Sequence, residues 1–320
     1  MKMKYTRLGK TDINISRITH GCMELGGGPN PEVIWEVQPE EQNIDLLLTA
    51  VDNGINSFDT AEMYGSGRSE EIVGKALASI RKKCVIASKV MKENLAPDDL
   101  ERALNKSLKR LNTDYLDLYY IHWPNPQIPL EGTVTKLARL KEQGIIRSIG
   151  VSNFSLAQLK EAVQFAEISA YQPEYNLLCR EIEDDILPFC AQNEISVLGY
   201  NSLAKGILSG AFHLYGAKLS EVDFRNQKPL FQTACLEAER ELIAHMERIA
   251  KTHEASVSQV AVAWTLQQAG VSSAIVGTQN KKHFLDNLNA ASLTLTQDEL
   301  ADITKLSGST IARVKSLGYL

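Results

Sequence analysis

Eight short apolar runs recur along the chain, and between them lie stretches whose apolar residues return every three or four positions. The runs are residues 17–20, 55–58, 84–88, 116–121, 148–151, 170–172, 196–200 and 273–276, each with the length and character of a buried strand. The intervening segments read as helices at 40–52, 69–77, 98–111, 134–143, 156–165, 181–193, 236–252 and 256–268. In 98–111, Leu100, Ala103, Leu104, Leu108 and Leu111 share one face, and Pro97 suits a first helical turn. Gly54 and Gly144 follow their helices as helix-ending residues should. Eight strands alternating with helices predict an α/β fold, a (β/α)8 TIM barrel occupying residues 1–320 as one domain. Tyr5 to Leu8 and Ile13 to Ile15 flank turn residues and predict a short N-terminal β-hairpin; residues 305–320 read as a C-terminal tail over the surface or mouth of the barrel. The alternative, an open doubly wound sheet, wants a GxGxxG turn directly after an early strand, and Gly26 to Gly28 in ELGGGPNP have the wrong spacing.

Composition narrows the function. Apolar residues make up 44% and charged residues 23% of the 320, ordinary globular usage, and a net charge of -5 without a long basic run offers no general surface for nucleic acid or an anionic membrane. The five cysteines are odd in number, widely spaced and free of CxxC pairs, which argues for reduced thiols in a cytoplasmic protein. The N-terminus lacks the apolar core of a signal peptide, and no stretch approaches ~18 consecutive apolar residues. The six histidines show no HxH or HExxH pairing, so no metal site is expected.

In a barrel of this type chemistry sits at the carboxyl ends of the strands. Asp59 ends INSFD, Tyr64 lies in the loop after it, Lys89 ends CVIASK and His122 ends LDLYYIH. Each alone has a structural reading as a cap, a packed ring, a solvated amine or a buried hydrogen bonder. Together they have complementary roles. A phenol has a pKa of ~10, and an adjacent ammonium from Lys89 is expected to lower it. Asp59 would hold Lys89 by a charge-assisted hydrogen bond, and His122 could orient a substrate oxygen beside the Tyr64 hydroxyl. The set suits protonation of an oxygen on which charge develops. Gly65 and Gly67 read as a turn into the next helix rather than a phosphate cradle.

FDTAEMYGSGRSEEIVGKAL, ASK, RLNTDYLDLYYIHWP, GIIRSIGVSNF, YQPEYNLLCR and SVLGYNSLAKGIL stand in the order and approximate spacing of the aldo-keto reductase family, which the chain resembles from residue 7 to residue 288. The resemblance implies an oxidoreductase of the alcohol dehydrogenase (NADP+) type that moves a hydride from a nicotinamide cofactor to an aldehyde or ketone. It assigns Tyr64 as general acid, Asp59 and Lys89 as its tuning pair, and His122 as the group that positions the carbonyl.

It also implies a cofactor site. Ser152, Asn153 and Gln172 should bind the carboxamide, Tyr200 should stack under the nicotinamide ring, and residues 203–210, with Leu203 and Lys205, should cover the pyrophosphate. Capping for Ser152 and Asn153, and core packing for Tyr200, are the structural alternatives. Gly21, Met23 and Gly277 complete the expected lining. Where relatives that prefer NADPH carry arginine after the last strand, this chain has Gln279 and His283, leaving Thr278, Lys281 and Lys282 as phosphate partners. NADPH is the expected cofactor, with NADH possible, because lysine and histidine do not reproduce the bidentate grip of arginine. Asp286 and Asn287 match an acidic-Asn pair expected near adenine. Met23, Trp35 and Trp123 are expected pocket walls, with Glu24 and Asn125 adding polarity, for a small-molecule carbonyl substrate. Two other readings use the same residues: an aldolase forming a Schiff base on Lys89, and a redox-sensing protein on the same fold, as in potassium-channel beta subunits. Oligomeric state is not legible.

Overall fold

The computed structural model describes residues 3–30, 33–35, 37–221 and 223–318, with the backbone alone for 28–30 and 33–35. Eight parallel strands close into a barrel, β1 (Ile18–Gly21), β2 (Ser57–Asp59), β3 (Val85–Val90), β4 (Leu118–Ile121), β5 (Ile149–Ser152), β6 (Ala170–Gln172), β7 (Ser196–Gly199) and β8 (Val271–Gly277). Every strand pairs with its neighbours in chain order, and β8 returns to β1 in the register Ala274 with Ile18 through Gly277 with Gly21. All eight expected strands are present, with ends displaced by at most two residues.

Alternation along the strands splits the core in two. Ile86, Tyr119, Ile121, Ile149, Val151 and Val197 face outward into the large cluster under the helices. Val85, Ala87, Leu118, Tyr120, Ala170, Leu198 and Ile275 face inward, where they meet Leu8, Ile13 and Ile15. Those last three belong to the N-terminal hairpin of Tyr5–Arg7 paired antiparallel with Asn14–Ser16, and to its turn. The hairpin closes the amino-terminal end of the barrel, where Ser16 Oγ, Ser57 Oγ, Thr19 Oγ1 and Ser273 Oγ link at 2.8–2.9 Å. Water is thereby excluded from one end, and only the opposite rim is open for chemistry.

The helices follow their apolar period. Glu40–Asp52 and Leu156–Phe165 have the expected bounds, the latter started by a capping box between Ser155 and Gln158. Pro97 is the first residue of Pro97–Leu111, which ends on Asn112 in the left-handed conformation. The helix expected over 181–193 is confined to Ile186–Gln192. Its first half is held as a turn because Glu183 accepts from the Tyr175 hydroxyl and from both Nε and Nη2 of Arg180, at 2.7–2.8 Å. Of residues 305–320, expected as a tail over the surface or mouth, 305–316 continue a capped helix, Gln297–Ser316. It packs on the outer surface, where buried Trp264 Nε1 donates to Thr304 and Ser307 Oγ donates to the Leu177 carbonyl. Elements without a counterpart in the sequence reading include the short helices Met23–Gly26 and Ala211–Leu214, an antiparallel ribbon of Gly28–Asn30 with Val33–Trp35, and the helix Lys281–Leu288. No helix among the described residues is long and apolar enough to cross a membrane.

Candidate active site

The period-two alternation that sends Val85 and Ala87 into the barrel also sends Lys89 inward, at the carboxyl end of β3, and the same rule turns Asp59 inward at the end of β2. Lys89 is wholly buried. Its Nζ pairs with Asp59 Oδ1 and donates to the Thr60 carbonyl at 2.9 Å and to the Tyr64 hydroxyl oxygen at 3.2 Å. The second Asp59 oxygen accepts from Gln172 Nε2 at 2.7 Å, so the carboxylate is fixed from two sides.

Tyr64 is delivered by the turn after β2. Gly65 has φ of +58°, and a Cβ there would lie 2.4 Å from the Gly26 carbonyl oxygen, so only glycine allows this loop to lean on the loop after β1. His122, just beyond β4, stacks on Trp123 with ring centroids 3.7 Å apart and meets the Tyr64 ring edge-on at 5.8 Å. Its Nδ1 is buried without a partner, leaving Nε2 for the open side. All four expected catalytic side chains thus meet at one rim.

Their electrostatics correct one expectation. Burial, and then the nearby carboxylates of Asp59 and Glu24, push the Tyr64 phenol well above its usual value rather than below it. Lys89 does not lower it because Asp59 cancels the ammonium charge at close range. The phenol is therefore protonated at neutral pH, the form a proton donor needs. Burial pulls the Lys89 ammonium down, opposed by Asp59, and burial followed by the Lys89 charge holds His122 well below its usual value, as a neutral imidazole.

A cavity of about 770 Å³ begins at Tyr64, His122 and Trp123 and runs without a break to Asp286 and Asn287. Gly21, Met23, Ser152, Asn153, Gln172, Tyr200, Leu203, Lys205, Gly277, Thr278, Gln279 and His283 line it, as the sequence reading expects. Several have their polar atoms engaged already. Ser152 Oγ donates to the Gln172 carbonyl at 2.7 Å, Tyr200 donates to Asn153 Oδ1 at 2.9 Å, and Asp286 accepts from Ser256 Oγ and Gln259 Nε2. Lys281 and Lys282 are the exceptions among the expected cofactor residues: neither lines the cavity, and Lys281 Nζ pairs with Asp45 at 2.8 Å. Asn125 also lies off the cavity, donating to the Lys92 carbonyl in the loop after β3. The Trp35 side chain lies outside the described residues.

The sequence reading missed Phe212, Tyr215, Arg225 and Lys228, which wall the cavity from the long excursion between β7 and the helix Thr233–Thr252. A connection of that length, far beyond the usual ~4–6 residues, was the available signal. The excursion is tied down by Arg225, which donates to both Asp223 oxygens and to the Lys205 carbonyl. His213 and Glu239 add a buried contact, with Nε2 and Oε2 3.2 Å apart but off the axis of a good hydrogen bond.

The pattern of the aldo/keto reductase family matches residues 17–307. The chain belongs to the aldo/keto reductase family. The chemistry of that family is NAD(P)H-dependent reduction of carbonyl compounds. Over 97% of its length the chain is 36% identical to aldo-keto reductase YhdN of Bacillus subtilis, covering 95% of that protein. It is 32% identical to the NADH-specific methylglyoxal reductase of Escherichia coli, with 92% and 95% covered. Among solved structures, the glycerol dehydrogenase of Gluconobacter oxydans superposes with a TM-score of 0.86 at 30% identity, with 96% of each chain covered. An aldo-keto reductase of Klebsiella pneumoniae in complex with NADPH superposes at 0.77 and 29% identity, again over 96% of each chain.

Proposed function

We propose that this aldo/keto reductase reduces aldehydes and ketones with Tyr64 as the general acid and NADPH as the preferred cofactor. The observation that carries this reading is one continuous cavity with Asp59, Tyr64 and His122 at one end, Lys89 buried behind them, and the Lys281–Leu288 helix at the other. Its volume of about 770 Å³ lies within the ~300–1,000 Å³ of typical cofactor and ligand sites, and its elongated lining suits a dinucleotide. Ser152, Asn153, Gln172 and Tyr200 would hold the nicotinamide end, residues 203–210 with Arg225 and Lys228 the phosphates, and Asp286 and Asn287 the adenine end. The bound cofactor supplies the hydride for the carbonyl carbon.

The chain's own residues handle the oxygen. His122, neutral, donates a hydrogen bond that orients the carbonyl beside the Tyr64 hydroxyl. As negative charge develops on that oxygen, Tyr64 gives up its proton and the alcohol leaves neutral. Lys89, 3.2 Å away, stabilises the phenolate that remains, and Asp59 keeps the amine charged and aimed. Trp123 and Met23 wall the substrate end and favour small or aromatic carbonyl compounds. A Schiff base on Lys89 is disfavoured: its amine is wholly buried, held by three oxygens, and does not line the cavity.

For the phosphate that distinguishes NADPH, Lys281 is engaged with Asp45, and Gln279 Nε2 donates to the Glu24 carbonyl. Thr278 and His283 remain on the cavity wall, with no arginine fork after β8, so discrimination against NADH should be weak. Tighter binding of NADH than NADPH in parallel titrations would overturn the preference. For the acid, Tyr64→Phe should keep dinucleotide affinity while turnover of a reactive aldehyde falls ~10²–10⁴-fold. An undiminished rate would remove Tyr64 from its role.

A further inference from the structure

The mechanism uses one carboxylate, Asp59, yet the same wall carries a second. Glu24 sits on the short helix after β1, and its side chain lies across the backbone of Gly277 at the end of β8. A Cβ built on Gly277 would fall 2.4 Å from Glu24 Oε2 and 2.9 Å from Oε1. Gly277 does not have the positive φ that would call for glycine, so the missing side chain is there for room, and the carboxylate fills it. Both residues line the cavity between Tyr64 and the segment that leads to His283.

The charge on Glu24 has no answer. Asp59 is neutralised by Lys89, Asp223 by Arg225 and Asp45 by Lys281. No ion pair or hydrogen bond joins the Glu24 carboxylate to another described residue, and no cation lies near enough to oppose the effect of burial, which pushes it up to about 7; its own amide alone works the other way. Of the titratable groups that face it, Cys22 and Tyr64 are neutral, both pushed well up, while Asp59 shares its charge with Lys89. His283 stands beyond, on the Lys281–Leu288 helix, with Asp286 held by Ser256 and Gln259.

We propose that Glu24 sets the affinity of this chain for its dinucleotide, binding it as the protonated acid and repelling it as the carboxylate. This rests on the dinucleotide reading above. A dinucleotide brings at least two phosphate charges into a cavity where an ionised Glu24 has no counterion, and like charges in a partly desolvated site raise one another's proton affinity. The protonated form removes the repulsion and can donate a hydrogen bond. Binding is therefore linked to uptake of a proton, and affinity falls as pH rises through the range in which Glu24 ionises.

The test is equilibrium binding of NADH and NADPH to the intact chain between pH 6 and 8.5, by quenching of protein fluorescence. Parent affinity for both should fall roughly tenfold from pH 6 to pH 8. Glu24→Gln should bind with little pH dependence and more tightly than the parent at pH 8. Calorimetry of the parent in two buffers of different ionisation enthalpy should show net proton uptake near pH 7, which keeps the proposal testable if the variant folds poorly. NADH lacks the titrating 2'-phosphate, so a slope seen only with NADPH overturns the proposal. So does a slope that persists in folded Glu24→Gln, or parent affinity that is flat with pH. Failure of both dinucleotides to bind at any pH would instead overturn the functional reading.

Discussion

Replacing Asp59 with asparagine tests how the buried amine is held. Asp59→Asn keeps the shape and an acceptor for Lys89 but removes the only charge that opposes its desolvation at contact distance. Lys89 has no exposed surface, so the cost cannot be relieved by water. Two routes give its size. Uncoupling a buried ion pair typically costs about 3–5 kcal/mol. Alternatively the amine deprotonates, and neutralising at pH 7 a group that titrates near 10.4 in the unfolded chain costs about 4.6 kcal/mol at 1.36 kcal/mol per unit. The variant should therefore be about 3–4.6 kcal/mol less stable at pH 7. The sign of its pH dependence follows. With the folded-state amine depressed below neutral, the unfolded chain binds the extra proton, so stability rises with pH until the unfolded value is reached. The deficit relative to the parent should shrink by up to about 2.7 kcal/mol between pH 7 and pH 9. Urea unfolding of both proteins at the two pH values reads this directly. A deficit below about 1 kcal/mol that does not change with pH would refute the claim that Asp59 sustains a buried charge on Lys89.

Two further outcomes concern other parts of the chain. His20, buried against Phe284 with Nε2 unpartnered, is pushed down to about 4, so its contribution is complete above the unfolded value near 6.5 and is lost as pH falls toward 4. The parent should lose about 2 kcal/mol more than His20→Leu between pH 7 and pH 5, and equal losses in urea titrations would reject this account. Gly65→Ala places a Cβ 2.4 Å from the Gly26 carbonyl oxygen in a left-handed backbone. It should cost at least about 2 kcal/mol and lower turnover by displacing Tyr64, and an unchanged melting temperature would show that the loop has room to relax.

The barrel was legible because it depends on period. Each buried strand must be apolar and each covering helix must show a 3.6-residue stripe, and both patterns are local. Where local pattern and tertiary contact compete, the reading failed in a consistent way. Residues 181–185 have the composition of a helix start, but Glu183 is taken by the Tyr175 hydroxyl and by Arg180, which the fold in turn anchors on the Thr304 carbonyl and Ser307 Oγ. The helix Lys281–Leu288 and the ribbon after Gly26 were missed for the opposite reason: they are short and weakly patterned, and neighbours rather than propensity hold them.

The amino-acid order by itself determined which side chains reach the open rim, since alternation along β2 and β3 turns Asp59 and Lys89 inward whatever surrounds them. It also determined that Tyr64 follows β2 on a glycine-bearing turn. Only the tertiary structure decided how those groups are charged. Burial and the sum of nearby carboxylates raise the Tyr64 phenol against the expectation from Lys89 alone, and they leave Glu24 without a counterion beside Gly277. A proton's affinity depends on every charge within several ångströms and on the water excluded, and residues 24, 59, 64, 89 and 277 acquire that common environment when the barrel closes β8 onto β1.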